Sequence, residues 1–191
     1  MDHQINTEDD RVIGFAEFGD PSGVPVLSCH GAPGCRLAPK HYAEDGAASG
    51  FRLIGIARPG YGISSPLPGR SVVDWTRDAL AVANHLQLEQ LVLQSTSTGG
   101  SYSLATASVA ADRVIGVLVC CGMTDMHWAN GIAEARMECA LPIWESADRD
   151  AAIAVAIDQF GAPGEKRLIP NNAALFALPP ASFKPKTRRI R

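Results

Sequence analysis

Residues 91–100 read Leu-Val-Leu-Gln-Ser-Thr-Ser-Thr-Gly-Gly. The apolar start is typical of a buried strand, and the small residues that follow favour a helix packed closely on a sheet. Ser97 stands between the two, with Ser95 and Gly99 two positions before and after it. A sharp strand-to-helix turn strains its central residue and has no room for bulky neighbours. The stretch therefore predicts a turn that exposes the Ser97 hydroxyl as a nucleophile, although Ser95 replaces the first glycine of G-x-S-x-G. A plain Ser/Thr/Gly loop is the alternative.

A second strand-to-turn pattern lies upstream. Residues 24–29 read Val-Pro-Val-Leu-Ser-Cys, a short buried strand, and residues 30–34 read His-Gly-Ala-Pro-Gly. A tight turn after a strand can aim backbone N–H groups into a cleft, and acyl transfer needs such donors because charge builds on the carbonyl oxygen. The turn is thus a candidate oxyanion loop, with an ordinary strand-to-helix loop as the alternative.

A third pattern completes an ordered set. Residues 51–56 read as a strand, and residues 57–65 read Ala-Arg-Pro-Gly-Tyr-Gly-Ile-Ser-Ser. The three patterns together resemble the α/β-hydrolase family, whose members carry an HGxPG loop, a D-R-P-G-x-G-x-S loop and a nucleophile elbow in this order. The resemblance extends from about Val12 to about Phe160, and esterase-like and proline-iminopeptidase-like members are the most similar. Ala57 departs from the pattern, which has Asp there as a loop residue.

The resemblance implies a serine-type hydrolase. Ser97 would attack an ester or amide carbonyl of a small molecule, and the backbone N–H groups of Ala32 and Thr98 would hold the oxyanion, with His30 and Gly31 shaping the loop. No metal or organic cofactor is implied. A Ser rather than an Asp nucleophile argues against the dehalogenase and epoxide-hydrolase branches.

The base and the acid that Ser97 would need are not evident in the sequence. A serine nucleophile needs a base and an orienting acid, which in this fold follow the serine in chain order. His127 is the only histidine after Ser97, and Asp125 with His127 would need an unusual loop to serve. Three explanations stay open: a shortened form of a longer hydrolase, which we favour; an inactive relative; or an atypical base. The alternative function is a non-catalytic binding or interaction protein on the same fold.

Strands that alternate with helices predict an α/β fold with a mostly parallel sheet. By resemblance it is of the α/β-hydrolase type, lacks its last strands and carries part of a helical cap. We expect a core over residues 1–122, a helical cap-like segment over 123–170 and a basic, disordered tail over 171–191. In this division Val12–Phe18 is an edge strand, His3 lies in a flexible N-terminus, and Ser71 to Asp74 starts a helix with a capping box.

Val114–Cys120 is a continuous apolar run of the kind buried on both faces in parallel sheets. With the last strands missing, it becomes an apolar sheet edge instead. An exposed edge is a pairing hazard, so self-association through it is a further prediction.

The composition excludes some classes of protein. The 191 residues are 46% hydrophobic and 19% charged, with a formal net charge of −3, so no nucleic-acid partner is expected. No apolar run is long enough to cross a membrane, and the polar start is not a secretory signal. The cysteines are odd in number and lack a C-x-x-C, which favours buried thiols in a reducing, cytoplasmic compartment. They are Cys29, Cys35, Cys120, Cys121 and Cys139.

Overall fold

The structure is a computed structural model that describes residues 2–131, except 124, 127 and 129, and residues 141–160. The chain divides into two compact units, residues 1–124 and residues 125–191.

The first unit alternates strands and helices. Its strands are β1 (Asp2–Asn6), β2 (Val12–Gly19), β3 (Val24–Cys29), β4 (Phe51–Ile56), β5 (Leu91–Thr96) and β6 (Val114–Cys120). Its helices are a 3-10 helix (Ala38–Tyr42), α1 (Ala43–Ala48), α2 (Trp75–His85) and α3 (Gly99–Val109).

Within the described residues these strands form one sheet in the order β1-β2-β4-β3-β5-β6. The strands β4, β3, β5 and β6 are parallel, and β1 and β2 add an antiparallel edge. The predicted α/β class with a mostly parallel sheet is confirmed. The order also places the carboxyl ends of β3 and β5 side by side, which is where open parallel sheets build their sites.

The core lies between one face of the sheet and α2. Alternate residues of the strands point to this face because side chains alternate along a strand. The buried set comprises Ile13, Phe15, Leu27, Cys29, Ile54, Ile56, Leu91 and Leu93 from the strands and Trp75, Ala79, Val82 and Ala83 from α2.

The reciprocal hydrogen bonds of the predicted capping box are present, but they close the turn at 71–74 that precedes α2, and α2 itself begins at Trp75. The Ser71 N–H donates to Asp74 Oδ2 at 2.7 Å, and the Asp74 N–H donates back to Ser71 Oγ at 3.3 Å. The N–H groups of Ser71 and Asp74 are satisfied in this way just before the helix begins.

The N-terminal residues are more ordered than predicted. Val12–Gly19 is not an edge strand, because β1 pairs along its outer side with Ile5 opposite Ile13. His3 belongs to β1 and stacks on Phe15 with ring centroids 5.0 Å apart. The prediction of a flexible N-terminus around His3 was therefore wrong: alternate apolar and ring side chains in 2–6 find partners on β2.

Strand β6 is found as predicted but is not buried. Ile115 and Leu118, which point to opposite faces, are each 56% exposed. Within the described residues β6 pairs only with β5, so it is the edge of this sheet. Cys120 and Cys121 are accordingly exposed rather than buried, whereas Cys29 is buried as predicted. Self-association through β6 stays a prediction.

The second unit contains two described helices, α4 (Leu141–Trp144) and α5 (Arg149–Phe160). Residues 132–140 and 161–170 of the predicted cap-like segment, with Cys139, and the predicted basic tail lie outside the described residues. The division into core, cap-like segment and tail stays a prediction. In the part of the chain that is described, no helix combines the length and apolar character needed to cross a membrane.

One buried ion pair fastens the β1–β2 turn to α2. The Arg11 guanidinium donates to both oxygens of Asp78, at 3.0 and 2.5 Å. Asp78 is only 2% exposed, so its charge depends on this bidentate partner.

We expect Arg11→Met to lower the free energy of unfolding by about 3–5 kcal/mol, because the Asp78 carboxylate would stay buried without a partner. Urea denaturation followed by circular dichroism measures the change. Asp2→Asn is the matched control, since it breaks the exposed Asp2–Arg36 pair and should leave the urea midpoint unchanged. Equal effects of the two substitutions would contradict the assignment.

Candidate active site

Ser97 occupies a strained turn between β5 and α3. Its backbone φ is +54°, in the left-handed region that side-chain-bearing residues seldom adopt. The turn is fixed on the β6 side, where the Ser97 N–H donates to the Cys120 carbonyl at 3.0 Å. The side chain is half-buried, and the predicted strand–serine–helix geometry is confirmed.

Gly99 lets the start of α3 approach the end of β3. A Cβ added there would lie 2.2 Å from the Cys29 carbonyl oxygen and 3.0 Å from that of His30. Both are backbone atoms, which cannot move aside. The expectation that the residue after the turn must be small is confirmed for this position.

Ser95 replaces the usual first glycine without strain. It is fully buried, and its Oγ donates to the Leu118 carbonyl on β6 at 3.2 Å. Because the hydroxyl has an acceptor, the buried polar side chain is tolerated two residues before Ser97.

The His-Gly-Ala-Pro-Gly turn lies directly against Ser97. A Cβ added at Gly31 would stand 3.1 Å from Ser97 Cβ and 3.7 Å from Ser97 Oγ. The two loops that the sequence singled out are therefore neighbours. Only a glycine at position 31 leaves open the space beside the hydroxyl.

The two predicted oxyanion donors belong to Ala32 and Thr98, the residues that follow Gly31 and Ser97 in sequence. Within the described part of the chain, neither backbone N–H has a hydrogen-bond acceptor. Unpaired N–H groups beside a serine hydroxyl are the arrangement that binds a developing oxyanion.

His30 is held as a neutral part of the loop. Its Nε2 accepts the backbone N–H of Arg58 at 3.1 Å, so its Nδ1 carries the hydrogen and donates to the Gly31 carbonyl at 2.7 Å. Burial, opposed by the hydrogen bond to Gly31 and assisted by the positive charge of Arg58, lowers the pKa of His30 to about 4. With both ring nitrogens engaged, His30 is not placed to take a proton from Ser97.

Arg58 is the residue at this site whose importance the sequence did not indicate. Its Nη2 donates to the Gly31 carbonyl at 2.9 Å and to Thr98 Oγ1 at 3.3 Å. The guanidinium carbon lies 4.9 Å from the Tyr61 ring centroid and 4.7 Å from that of Tyr102. Only the Arg-Pro-Gly loop pattern around position 58 pointed to it, and that pattern gives no role for the side chain.

No described histidine reaches Ser97 as a base. His3 lies on β1 against Phe15, His85 packs edge-on to the same ring, and His41 is exposed. His127 lies outside the described residues. Among the residues that the structure describes, no three His, Cys, Asp or Glu side chains are grouped to hold a metal ion.

Comparison with known proteins agrees with this geometry. The profile of the alpha/beta hydrolase fold family matches residues 24–138. The chain is 29% identical over 112 residues to a probable proline iminopeptidase of Leptolyngbya boryana, covering 57% of this chain and 35% of that protein. It is 29% identical over 128 residues to the proline iminopeptidase of Neisseria gonorrhoeae, covering 62% and 40%.

A solved esterase of Thermogutta terrifontis is also similar, with a TM-score of 0.54 and 27% identity over 64% of this chain and 46% of that one. The chain thus spans less than half the length of these relatives.

The neutral His30 makes a pH-dependent contribution to stability. Its pKa lies below the ordinary 6.5, so the unfolded chain binds the proton more readily. The contribution is full above about pH 6.5 and is lost as the pH falls toward 4, by about 3 kcal/mol in total. We expect His30→Asn to remove this part of the pH dependence of the unfolding free energy, measured by urea titration from pH 7 to 4. His41→Asn should leave it unchanged, and a wild-type slope in His30→Asn would contradict the assignment.

We expect Gly99→Ala to lower the free energy of unfolding by about 1–3 kcal/mol, because the new methyl overlaps the backbone of β3. Gly116→Ala in β6 is the control, since its Cβ would lie 4.0 Å from Val92 Cγ1 in ordinary contact. Thermal unfolding compares the two. The close approach of α3 to β3 is wrong if both variants melt like the wild type.

Proposed function

Since the chain belongs to the alpha/beta hydrolase fold family, we propose that it is a serine-type hydrolase acting on an ester or amide bond of a small molecule. The observation that carries the proposal is the placement of Ser97 in a left-handed turn against Gly31, with the backbone N–H groups of the following residues, Ala32 and Thr98, unpaired in the described part of the chain. Its similarity to proline iminopeptidases and to an esterase supports the bond type.

In the proposed reaction, Ser97 Oγ forms a bond to the carbonyl carbon, and the carbonyl π electrons move to oxygen. The Ala32 and Thr98 N–H groups donate to that oxyanion, each worth roughly 100- to 1000-fold in rate. The tetrahedral species expels the alcohol or amine and leaves an acyl-serine, which water hydrolyses. A base must take the hydroxyl proton and return it to the leaving group.

The base limits the activity that we propose for these 191 residues. Among the described residues, His30 has both nitrogens engaged and no other histidine lies at Ser97. Without a base the serine is a weak nucleophile near neutral pH. We therefore propose that this form is impaired, because no acid and base for Ser97 are found among the described residues of the first unit.

A second candidate function is non-catalytic binding on the same fold. The observation that favours it is the absence of a base: the Ser97 hydroxyl has no hydrogen-bonded base in the described part of the chain. An unactivated serine and an activated one differ in reactivity, so a chemical probe separates the two candidates.

We expect a fluorophosphonate probe to label the purified chain at Ser97 slowly but specifically, because the oxyanion donors stabilise the tetrahedral adduct while no described base activates the hydroxyl. Mass spectrometry of the labelled peptide identifies the site. Ser97→Ala should abolish labelling, and Ser108→Ala, an exposed serine on α3, should not change it. Absence of labelling at Ser97 in the wild type would favour the binding protein.

We expect little turnover of short p-nitrophenyl esters by the 191 residues alone, since the oxyanion donors without a base give only about 1000-fold over water. Absorbance of released p-nitrophenol measures it, with Ser97→Ala as the background. Turnover at ordinary enzyme rates would overturn the proposed impairment, and Asp125 and His127 would then be the first residues to substitute.

A further inference from the structure

We propose that Arg58 is a positioning residue that sets both oxyanion donors at once, by holding the Gly31–Ala32 peptide and Thr98 with one guanidinium nitrogen. This inference rests on the proposed function for its catalytic meaning. Its structural content, the orientation of one peptide by Arg58, is independent of that function.

The first part of the argument is the Gly31–Ala32 peptide plane. The Gly31 carbonyl oxygen accepts from Arg58 Nη2 at 2.9 Å and from His30 Nδ1 at 2.7 Å. In a trans peptide the C=O and N–H bonds point in opposite directions. Two donors that fix the Gly31 carbonyl therefore also fix the direction of the Ala32 N–H.

Arg58 acts on this peptide a second time through His30. The Arg58 backbone N–H donates to His30 Nε2 at 3.1 Å. This contact requires that ring nitrogen to be the acceptor, so the hydrogen sits on Nδ1, where it donates to the Gly31 carbonyl. Both donors on that carbonyl thus trace back to the position of one residue.

The second oxyanion donor is attached to the same guanidinium. Arg58 Nη2 also donates to Thr98 Oγ1 at 3.3 Å. Thr98 is the residue whose backbone N–H flanks Ser97 on the helix side. One nitrogen atom consequently joins the loop after β3 to the turn after β5, and it fixes the distance between the two donors.

The guanidinium itself is well held. Arg58 is only 3% exposed, and the Tyr61 and Tyr102 rings lie within cation–π distance of it. No carboxylate of residues 2–123 forms an ion pair with it. Its charge is not neutralised there, so it adds a positive potential at the position where the oxyanion would form.

A residue that only filled space would behave differently from this proposal. Arg58→Met keeps much of the apolar stem but removes the donors and the charge. Arg58→Lys keeps the charge and one nitrogen. Arg113→Met is the matched control, because Arg113 also donates to a backbone carbonyl, that of Leu88 at 2.6 Å, at the opposite end of β6 from Ser97.

The first measurement is the rate of fluorophosphonate inactivation of the full chain. We expect Arg58→Met to slow labelling of Ser97 by about 10- to 100-fold, less than the loss of a whole donor. Arg58→Lys should recover part of the rate, and Arg113→Met should stay within about twofold of the wild type. Equal rates in wild type and Arg58→Met would overturn the proposal. Absence of labelling in the wild type bears on the proposed function alone.

The second measurement does not depend on reactivity. Nuclear magnetic resonance relaxation of the Ala32 amide reports how firmly the peptide is held. We expect its order parameter to fall from about 0.85 toward 0.6 in Arg58→Met and to change less in Arg58→Lys. The amides of β3 and β5 should keep their wild-type values, which shows that the variant is folded. An unchanged Ala32 order parameter in a folded Arg58→Met would overturn the proposal, whatever the reactivity of Ser97. If Arg58→Met does not fold, Arg58→Lys and Thr98→Val decide by the same measurement.

Discussion

The site depends on the contact between the start of α3 and the carboxyl end of β3. At Gly99 the two backbones are so close that not even a methyl group fits between them. This approach brings the turn after β5 against the loop after β3, and so places Ser97 beside Gly31. The sheet order supports it, because β3 and β5 are adjacent and parallel. The placement of Ser97 beside the Gly31–Ala32 loop therefore depends on the absence of a side chain at Gly99.

Two buried polar residues behind that space, His30 and Arg58, are hydrogen-bonded to each other. A neutral His30 and a charged Arg58 are buried side by side, and each makes the other's state more favourable. The charge of Arg58 disfavours protonation of the imidazole, while the unprotonated Nε2 accepts the Arg58 N–H. The hydrogen bonds that His30 and Arg58 make to each other and to Gly31 favour this geometry, although the buried Arg58 Nε has no partner among the described residues.

Local patterns were enough to predict most of the first unit. Apolar runs located β3 and β4 with the bounds that the structure has and located β5 before the Ser97 turn, and the pattern at 71–74 placed a helix near the start of α2. The strands were predictable because their burial follows from period and length. The nucleophile turn was predictable because only small residues fit beside it.

What the sequence did not indicate depends on distant partners. Strand β1 is short and polar, and it is ordered by pairing with β2. The exposure of β6 is decided by what lies beside it rather than by its own apolar residues. The role of Arg58 comes from its contacts with Gly31 and Thr98, which lie 27 and 40 positions away along the chain. No local sequence spacing encodes such contacts.

Ser95 has a consequence for recognising such sites by pattern. Its buried hydroxyl is accommodated because a β6 carbonyl lies opposite and accepts it. The position two residues before the nucleophile therefore does not require glycine. It accepts a small side chain, provided that the polar atom of that side chain has a hydrogen-bond partner. A search rule that demands glycine there would pass over this chain. A rule that also admits serine where the neighbouring strand offers a free carbonyl would find it.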